Sequence, residues 1–181
     1  LRDGTLVLPV ESVVDNRAGS SFLISRDQGD SWKIGGFTTG GSQPALAERS
    51  DGSLVALMRQ YPRITQIVSR DQGETWSDAE QTPLKNPDSG ISMIPLANGH
   101  WVIVYNDSDD SRTPLSIARS TDEGRTWEAP LQLESNPGEY SYPSVLQTAD
   151  GKIHVTYTYR RYAIKHVELN EDWLVQMERP N

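Results

Sequence analysis

Two arginines, a tyrosine and a glutamine stand where side-chain chemistry could gather. Arg59 closes the apolar run Leu54-Val55-Ala56-Leu57-Met58. A guanidinium at the end of such a run is either a ligand clamp or a surface charge. As a clamp, its planar fork holds a carboxylate through two parallel hydrogen bonds. Arg112 follows the acidic stretch Asp107-Ser108-Asp109-Asp110, so it either grips a ligand or pairs with those acids. Tyr142 lies in Tyr140-Ser141-Tyr142-Pro143, where one tyrosine is expected to pack and the other to face solvent. Gln43 can orient a hydroxyl but accepts no proton at neutral pH. Tyr157, Tyr159, Arg160, Arg161 and His166 form a second polar group, in which His166 or a nearby tyrosine suits acid or base work. Tyr159-Arg160-Arg161-Tyr162 reads equally as a solvated strand pair.

These side chains need a frame, and the frame is visible as repetition. Ser25-Arg26-Asp27-Gln28-Gly29-Asp30-Ser31-Trp32, Ser69-Arg70-Asp71-Gln72-Gly73-Glu74-Thr75-Trp76 and Ser120-Thr121-Asp122-Glu123-Gly124-Arg125-Thr126-Trp127 share one pattern, S-x-D-x-G-x-[ST]-W. Asp can bond backbone N–H groups of its own turn, Gly can take the positive φ, and Trp can plug the turn onto the body beneath. A second motif precedes each octamer. Asp3-Gly4, Asp51-Gly52, Asn98-Gly99 and Asp150-Gly151 each lead into an apolar run, with starts 48, 47 and 52 residues apart. Such dipeptides are strong hairpin signals. The octamer Asp follows 24, 20 and 24 residues later in the first three units, and Asn170-Glu171-Asp172-Trp173 is a degenerate fourth copy.

The unit is therefore strand, Asp-Gly turn, strand, connection, strand, octamer turn, strand. Four strands at this period read as a propeller blade. The predicted fold is an all-β propeller, with four four-stranded blades near 1–40, 41–85, 86–135 and 136–181 forming one partial domain. A β-sandwich with repeated hairpins is the alternative. No apolar period of 3.6 residues persists long enough for a sizeable helix. Propeller loops at one end face the central axis, so Asn86, Asp88 and Ser89 are expected to touch ligand.

Composition narrows the partners. Lys and Arg total 17 against 25 Asp and Glu, a net charge of −8, which argues against a nucleic-acid surface. There is no cysteine to build a disulfide framework or thiolate site. No apolar run approaches the ~18 residues of a membrane span. No signal peptide is evident, and the compartment stays open. The opening on Leu1, just before a strand-like run, reads as a cut end. Exposed blade edges then predict self-association, or blades supplied by another chain.

The octamers resemble the Asp-box, the bacterial neuraminidase repeat of the sialidase superfamily, and the resemblance covers nearly the whole chain. It implies a six-bladed ring of which this chain holds four blades. It also implies recognition of an acidic sugar or glycan, with no cofactor and no metal. The box acids Asp27, Asp71 and Asp122 are then structural. In that family three arginines hold the substrate carboxylate, a tyrosine activated by a glutamate is the nucleophile, and an aspartate is the acid/base. By spacing, Arg59 resembles the second arginine and Arg112 the third, while Tyr142, 30 residues after Arg112, resembles the nucleophile. Gln43 stands 16 residues before Arg59, where the family has its glutamate. The first arginine and the aspartate belong to earlier blades. The resemblance thus implies a sialidase-like exo-glycosidase site built on Tyr142, Gln43, Arg59 and Arg112, with Asp88, Arg160 and His166 as further substrate contacts. Gln43 also admits a uronate-directed lyase, or a non-catalytic glycan-binding or assembly propeller.

Overall fold

The computed structural model describes residues 1–176. Four antiparallel sheets follow one another along the chain. The first holds β1 (Leu6–Val14), β2 (Arg17–Ser25) and β3 (Lys33–Thr38). The second holds β4 (Ser42–Glu48), β5 (Leu54–Arg59), β6 (Arg63–Ser69) and β7 (Glu80–Lys85). The third holds β8 (Ser92–Pro95), β9 (Trp101–Tyr105), β10 (Leu115–Ser120) and β11 (Leu131–Glu134). The fourth holds β12 (Tyr140–Gln147), β13 (Ile153–Tyr159) and β14 (Ala163–Leu169), followed by helix α1 (Glu171–Gln176). Within each sheet every strand pairs with its sequence neighbour.

The Asp-Gly and Asn-Gly turns join first to second strands in the last three sheets. Each closes with the same pair of backbone bonds: Gly52 N–H to Arg49 O at 3.0 Å and Arg49 N–H to Ser53 O at 2.8 Å in the second sheet. The octamers join the second strand to the third in the first sheet, and the third to the fourth in the second and third sheets. In each, the Ser hydroxyl donates to the Asp and accepts from the Gly N–H, as Ser69 does with Asp71 (2.8 Å) and Gly73 (2.8 Å). The Asp then accepts from the backbone N–H and hydroxyl of the residue before Trp, 2.9 and 2.6 Å for Thr75. These bonds stabilise the charged carboxylate. The Ser31 hydroxyl and N–H, with the Ser25 hydroxyl, pull Asp27 down to about 2. At Asp122 burial works the other way, but bonds from Thr126 and Ser120 outweigh it and bring that group also to about 2. The box acids are thus turn fasteners. Gly124 shows why Gly is required: its φ is +77°, and a Cβ there would lie 2.8 Å from the Trp101 ring.

Packing follows from strand periodicity. A strand in an inner sheet is covered on both faces, so it reads as a continuous apolar run rather than alternating with polar residues. In β5, Ala56 and Met58 meet Phe22 of the first sheet, while Val55 and Leu57 meet Trp101, Ile103 and Tyr105 of the third. In β9, Val102 and Val104 turn the other way, onto Val145, Val155 and Tyr157 of the fourth. Each fully buried Val, Leu, Ile, Phe or Met among these contributes roughly 1.5–3 kcal/mol. Trp76 stacks on Phe22 at 4.1 Å, carrying the second octamer onto the first sheet. Trp127 packs against the core between the second and third sheets.

Three expectations change. The first and last sheets carry three strands, not four. After β14 the degenerate octamer forms α1 instead of a turn and strand. Asn170 caps it by accepting from Trp173 N–H at 3.0 Å, and Trp173 still packs against the core of the last two sheets. Trp32 of the first octamer is 43% exposed rather than plugged in.

Candidate functional site

The residues singled out by type and spacing belong to strand ends at one end of the sheets. β5 ends at Arg59, the β9–β10 connection carries Arg112, and the β13–β14 hairpin carries Arg160 and Arg161. The first strands of the second and fourth sheets begin there as well, and both carry a break in the ladder. Register shifts between Ser42 and Ala45 in β4 and between Ser141 and Ser144 in β12. Inside these breaks sit Gln43 (φ 49°) and Tyr142 (φ 51°), each followed by proline. Asp88, just before the third sheet, has φ 59°. Left-handed backbone at a non-glycine residue costs of order 1–3 kcal/mol and gathers at functional sites. The bulge re-aims the side chain out of the pleat. Three successive sheets therefore present strained residues here, the fourth adding Arg160 (φ 53°) and Arg161 (φ 60°) on its hairpin.

Arg59 is the hub of the second sheet's contribution. Its Nη1 donates to Gln43 Oε1 at 3.1 Å, its Nε to Asp88 Oδ1 at 3.0 Å and its Nη2 to Asp88 O at 2.5 Å. The guanidinium is largely buried, with its side chain 15% exposed, whereas that of Asp88 is 58% exposed. Gly90 lies between Gln43 and Tyr142. A Cβ there would be 3.2 Å from Tyr142 Cδ1 and 3.4 Å from Gln43 Oε1. Arg112 stands over the Tyr142 ring, its Cζ 5.2 Å from the centroid. Tyr142 is 55% exposed while Tyr140 is fully buried, so the pair divides into one packed and one presented tyrosine. Gln43, Arg59, Asp88, Tyr142 and Arg112 thus form one contiguous group.

Arg112 does not pair with the aspartates before it. Its Nη1 donates to Glu139 Oε1 at 3.0 Å, and Glu139 Oε2 accepts from Arg161 Nε. The Arg161 hydrogen bond and charge, then Arg112, hold the Glu139 carboxyl below the usual carboxylate range. Arg161 thereby joins the group. Arg160 turns away, its guanidinium over the Tyr159 ring at 5.4 Å and its Nε donating to Tyr140 Oη at 3.4 Å. His166 is also apart. It lies within β14, its ring stacked on His154 at 5.2 Å with Nε2 2.9 Å from His154 Nδ1.

Asn86 and Ser89 are fully buried and cannot reach a ligand. Ser89 N–H donates to Asn86 Oδ1 at 2.9 Å, and the Ser89 hydroxyl donates to Asn106 Oδ1 at 2.8 Å. Asn106 Nδ2 in turn donates to Pro114 O at 3.1 Å and Tyr140 O at 3.0 Å. This buried amide network ties the end of β9 and the start of β10 to the start of β12. Sequence reasoning missed Asn106, Glu139 and Gly90. Asn106, directly after an all-apolar strand, carried the one available signal.

The profile of the BNR repeat-like domain matches residues 1–155. The chain belongs to that family. This BNR repeat-like chain is 27% identical over 163 residues to a sialidase of Bacteroides fragilis, covering 81% of the chain and 30% of that protein. It is 26% identical over 183 residues to the anhydrosialidase of Macrobdella decora, covering 85% of the chain and 23% of the relative. The BNR repeat-like chain therefore spans less than a third of each of these two relatives. Among solved structures, a Hadza microbial sialidase superposes with a TM-score of 0.83 at 22% identity, over 96% of this chain and 36% of that one. Trypanosoma rangeli sialidase gives 0.80 at 20% identity, over 96% and 31%. The fold is a sialidase-type β-propeller arrangement of four sheets.

Proposed function

We propose that this BNR repeat-like chain recognises an acidic sugar. Arg59 and Arg112 hold its carboxylate, and Tyr142 is presented to its ring. The observation that carries this is the meeting of Arg59, Gln43, Tyr142 and Arg112 from three sheets around Gly90. The names of the relatives, sialidases and an anhydrosialidase, point to the same ligand class. Two guanidinium groups beside an exposed tyrosine favour an anion, because their remaining N–H groups can make charge-assisted hydrogen bonds to it.

Recognition is better supported than turnover by these residues alone. A phenol nucleophile must lose its proton, and its ordinary pKa is near ~10. Gln43 cannot take that proton, and its Oε1 is already bound to Arg59. The neighbouring carboxylates, Asp88 and Glu139, are each engaged by guanidinium groups. Tyr142, exposed on left-handed backbone beside Arg112, is the observation that keeps a glycosidase reading open when further blades supply an acid/base group.

Calorimetric titration of the sialic acid Neu5Ac against wild type and Arg59→Ala tests recognition. Binding lost in the variant supports it, and no binding by wild type ends it. A fluorogenic sialoside assay with Tyr142→Phe separates the two readings. Turnover by wild type that disappears in the variant establishes the enzyme. Binding without turnover establishes the module.

A further inference from the structure

The two guanidinium groups beside Tyr142 come from different sheets and carry like charge. Left alone they would repel. Glu139 lies between them in the connection from the third sheet to the fourth, one oxygen on Arg112 Nη1 at 3.0 Å and the other on Arg161 Nε. Its own backbone is pinned too, since Glu139 O accepts from Arg160 N–H at 2.7 Å. The two anchors differ in freedom. The Arg112 side chain is 25% exposed and that of Arg161 is 71% exposed. Among the described residues the Nη groups of Arg161 have no partner, and the side chain is mostly exposed.

We propose that Glu139 is a positioning residue that joins Arg112 and Arg161 into one clasp beside Tyr142, and that Arg161 thereby becomes a ligand contact for a second anionic group. This rests on the acidic-sugar reading of the mouth and narrows it. In this reading Arg59 and Arg112, whose side chains are 15% and 25% exposed, take one carboxylate. Arg161 stands outward on a hairpin, where it meets the next sugar along a chain. The preferred ligand is then an oligosaccharide carrying charge on adjacent residues rather than a single acidic sugar. Glu139 neutralises one of the two cations, yet the pair keeps a net positive charge, which an anionic glycan needs.

Two measurements test this. The first needs no ligand: a carbon-detected NMR titration of the Glu139 carboxyl in wild type and in Arg161→Ala. The bridge expects a low titration midpoint in wild type that moves up in the variant. A midpoint unmoved by the substitution overturns the bridge. The second titrates Neu5Ac and a disaccharide of two Neu5Ac units against wild type, Glu139→Gln and Arg161→Ala. Glu139→Gln is expected to weaken both ligands about tenfold at an unchanged melting temperature. Unchanged or tighter binding, as a mere charge canceller would give, overturns the positioning role. Arg161→Ala is expected to weaken the disaccharide about tenfold more than it weakens the monosaccharide. Equal effects on both ligands, or none, overturn the contact. If wild type binds neither, the acidic-sugar reading fails with the Arg161 contact, while the Glu139 titration still decides the bridge.

Discussion

Gln43 Oε1 accepts a hydrogen bond from Arg59 Nη1 at 3.1 Å, joining two residues 16 apart across the β4–β5 hairpin. Guanidinium is donor-only, so this contact fixes the amide with its oxygen toward Arg59 and its NH₂ away. The position that could have held a base instead offers a donor.

Arg59→Lys tests the fork. A lysine ammonium cannot serve Gln43, Asp88 Oδ1 and Asp88 O together in the planar arrangement seen here. Affinity for Neu5Ac is expected to fall about tenfold, ~1.4 kcal/mol. Stability is expected to change little, because the freed Asp88 side chain is 58% exposed and stays hydrated. Calorimetry and a thermal melt on the same samples separate the two effects.

Gly90→Ala tests the contact between sheets. The added methyl would sit 3.2 Å from Tyr142 Cδ1 and 3.4 Å from Gln43 Oε1, so the ring must shift to admit it. Ligand affinity is expected to drop while unfolding free energy stays within about 1 kcal/mol of wild type. A variant that binds like wild type would show that Tyr142 takes no part in recognition.

Asn106→Ala tests the support beneath the site. Its amide bonds the Ser89 hydroxyl, Pro114 O and Tyr140 O, and it is fully buried. Removing it leaves those groups unsatisfied, at about 1–3 kcal/mol for a buried polar group. Urea unfolding is expected to show a lower midpoint at unchanged slope.

The octamer acids predict an acid limb of stability. Asp27 and Asp122 sit at about 2 in the folded chain against a reference of 3.8. A depressed folded pKa contributes stability that is full above the unfolded value and is lost as pH falls toward the folded one. Urea midpoints are therefore expected to decline between about pH 4 and pH 2, and Asp122→Asn should flatten that decline. An equally steep limb in the variant would place the effect elsewhere.

Much of this protein was written locally. The octamers and Asp-Gly turns bond mainly within a few residues of themselves, so their sequence alone specifies hairpins, strand order and repeat. Apolar runs such as Leu54–Met58 mark strands covered on both faces. The degenerate fourth octamer was legible as a copy, but its helix was not, because Asn170 capping and Trp173 packing replaced the missing Asp-to-Thr bonds.

The site divides along the same line. Sequence by itself determined which residues have the right chemistry at the right spacing: Arg59, Arg112, Tyr142 and Gln43 are found by type and by their offsets from repeated turns. Only the tertiary structure decided their company. It turned Arg112 from the aspartates beside it to Glu139, drew Arg161 in and left Arg160 and His166 out, and placed Gly90 under Tyr142. Those contacts join residues far apart in sequence, across neighbouring strands or between sheets, and their partners are set by strand register and sheet packing, which no local spacing encodes.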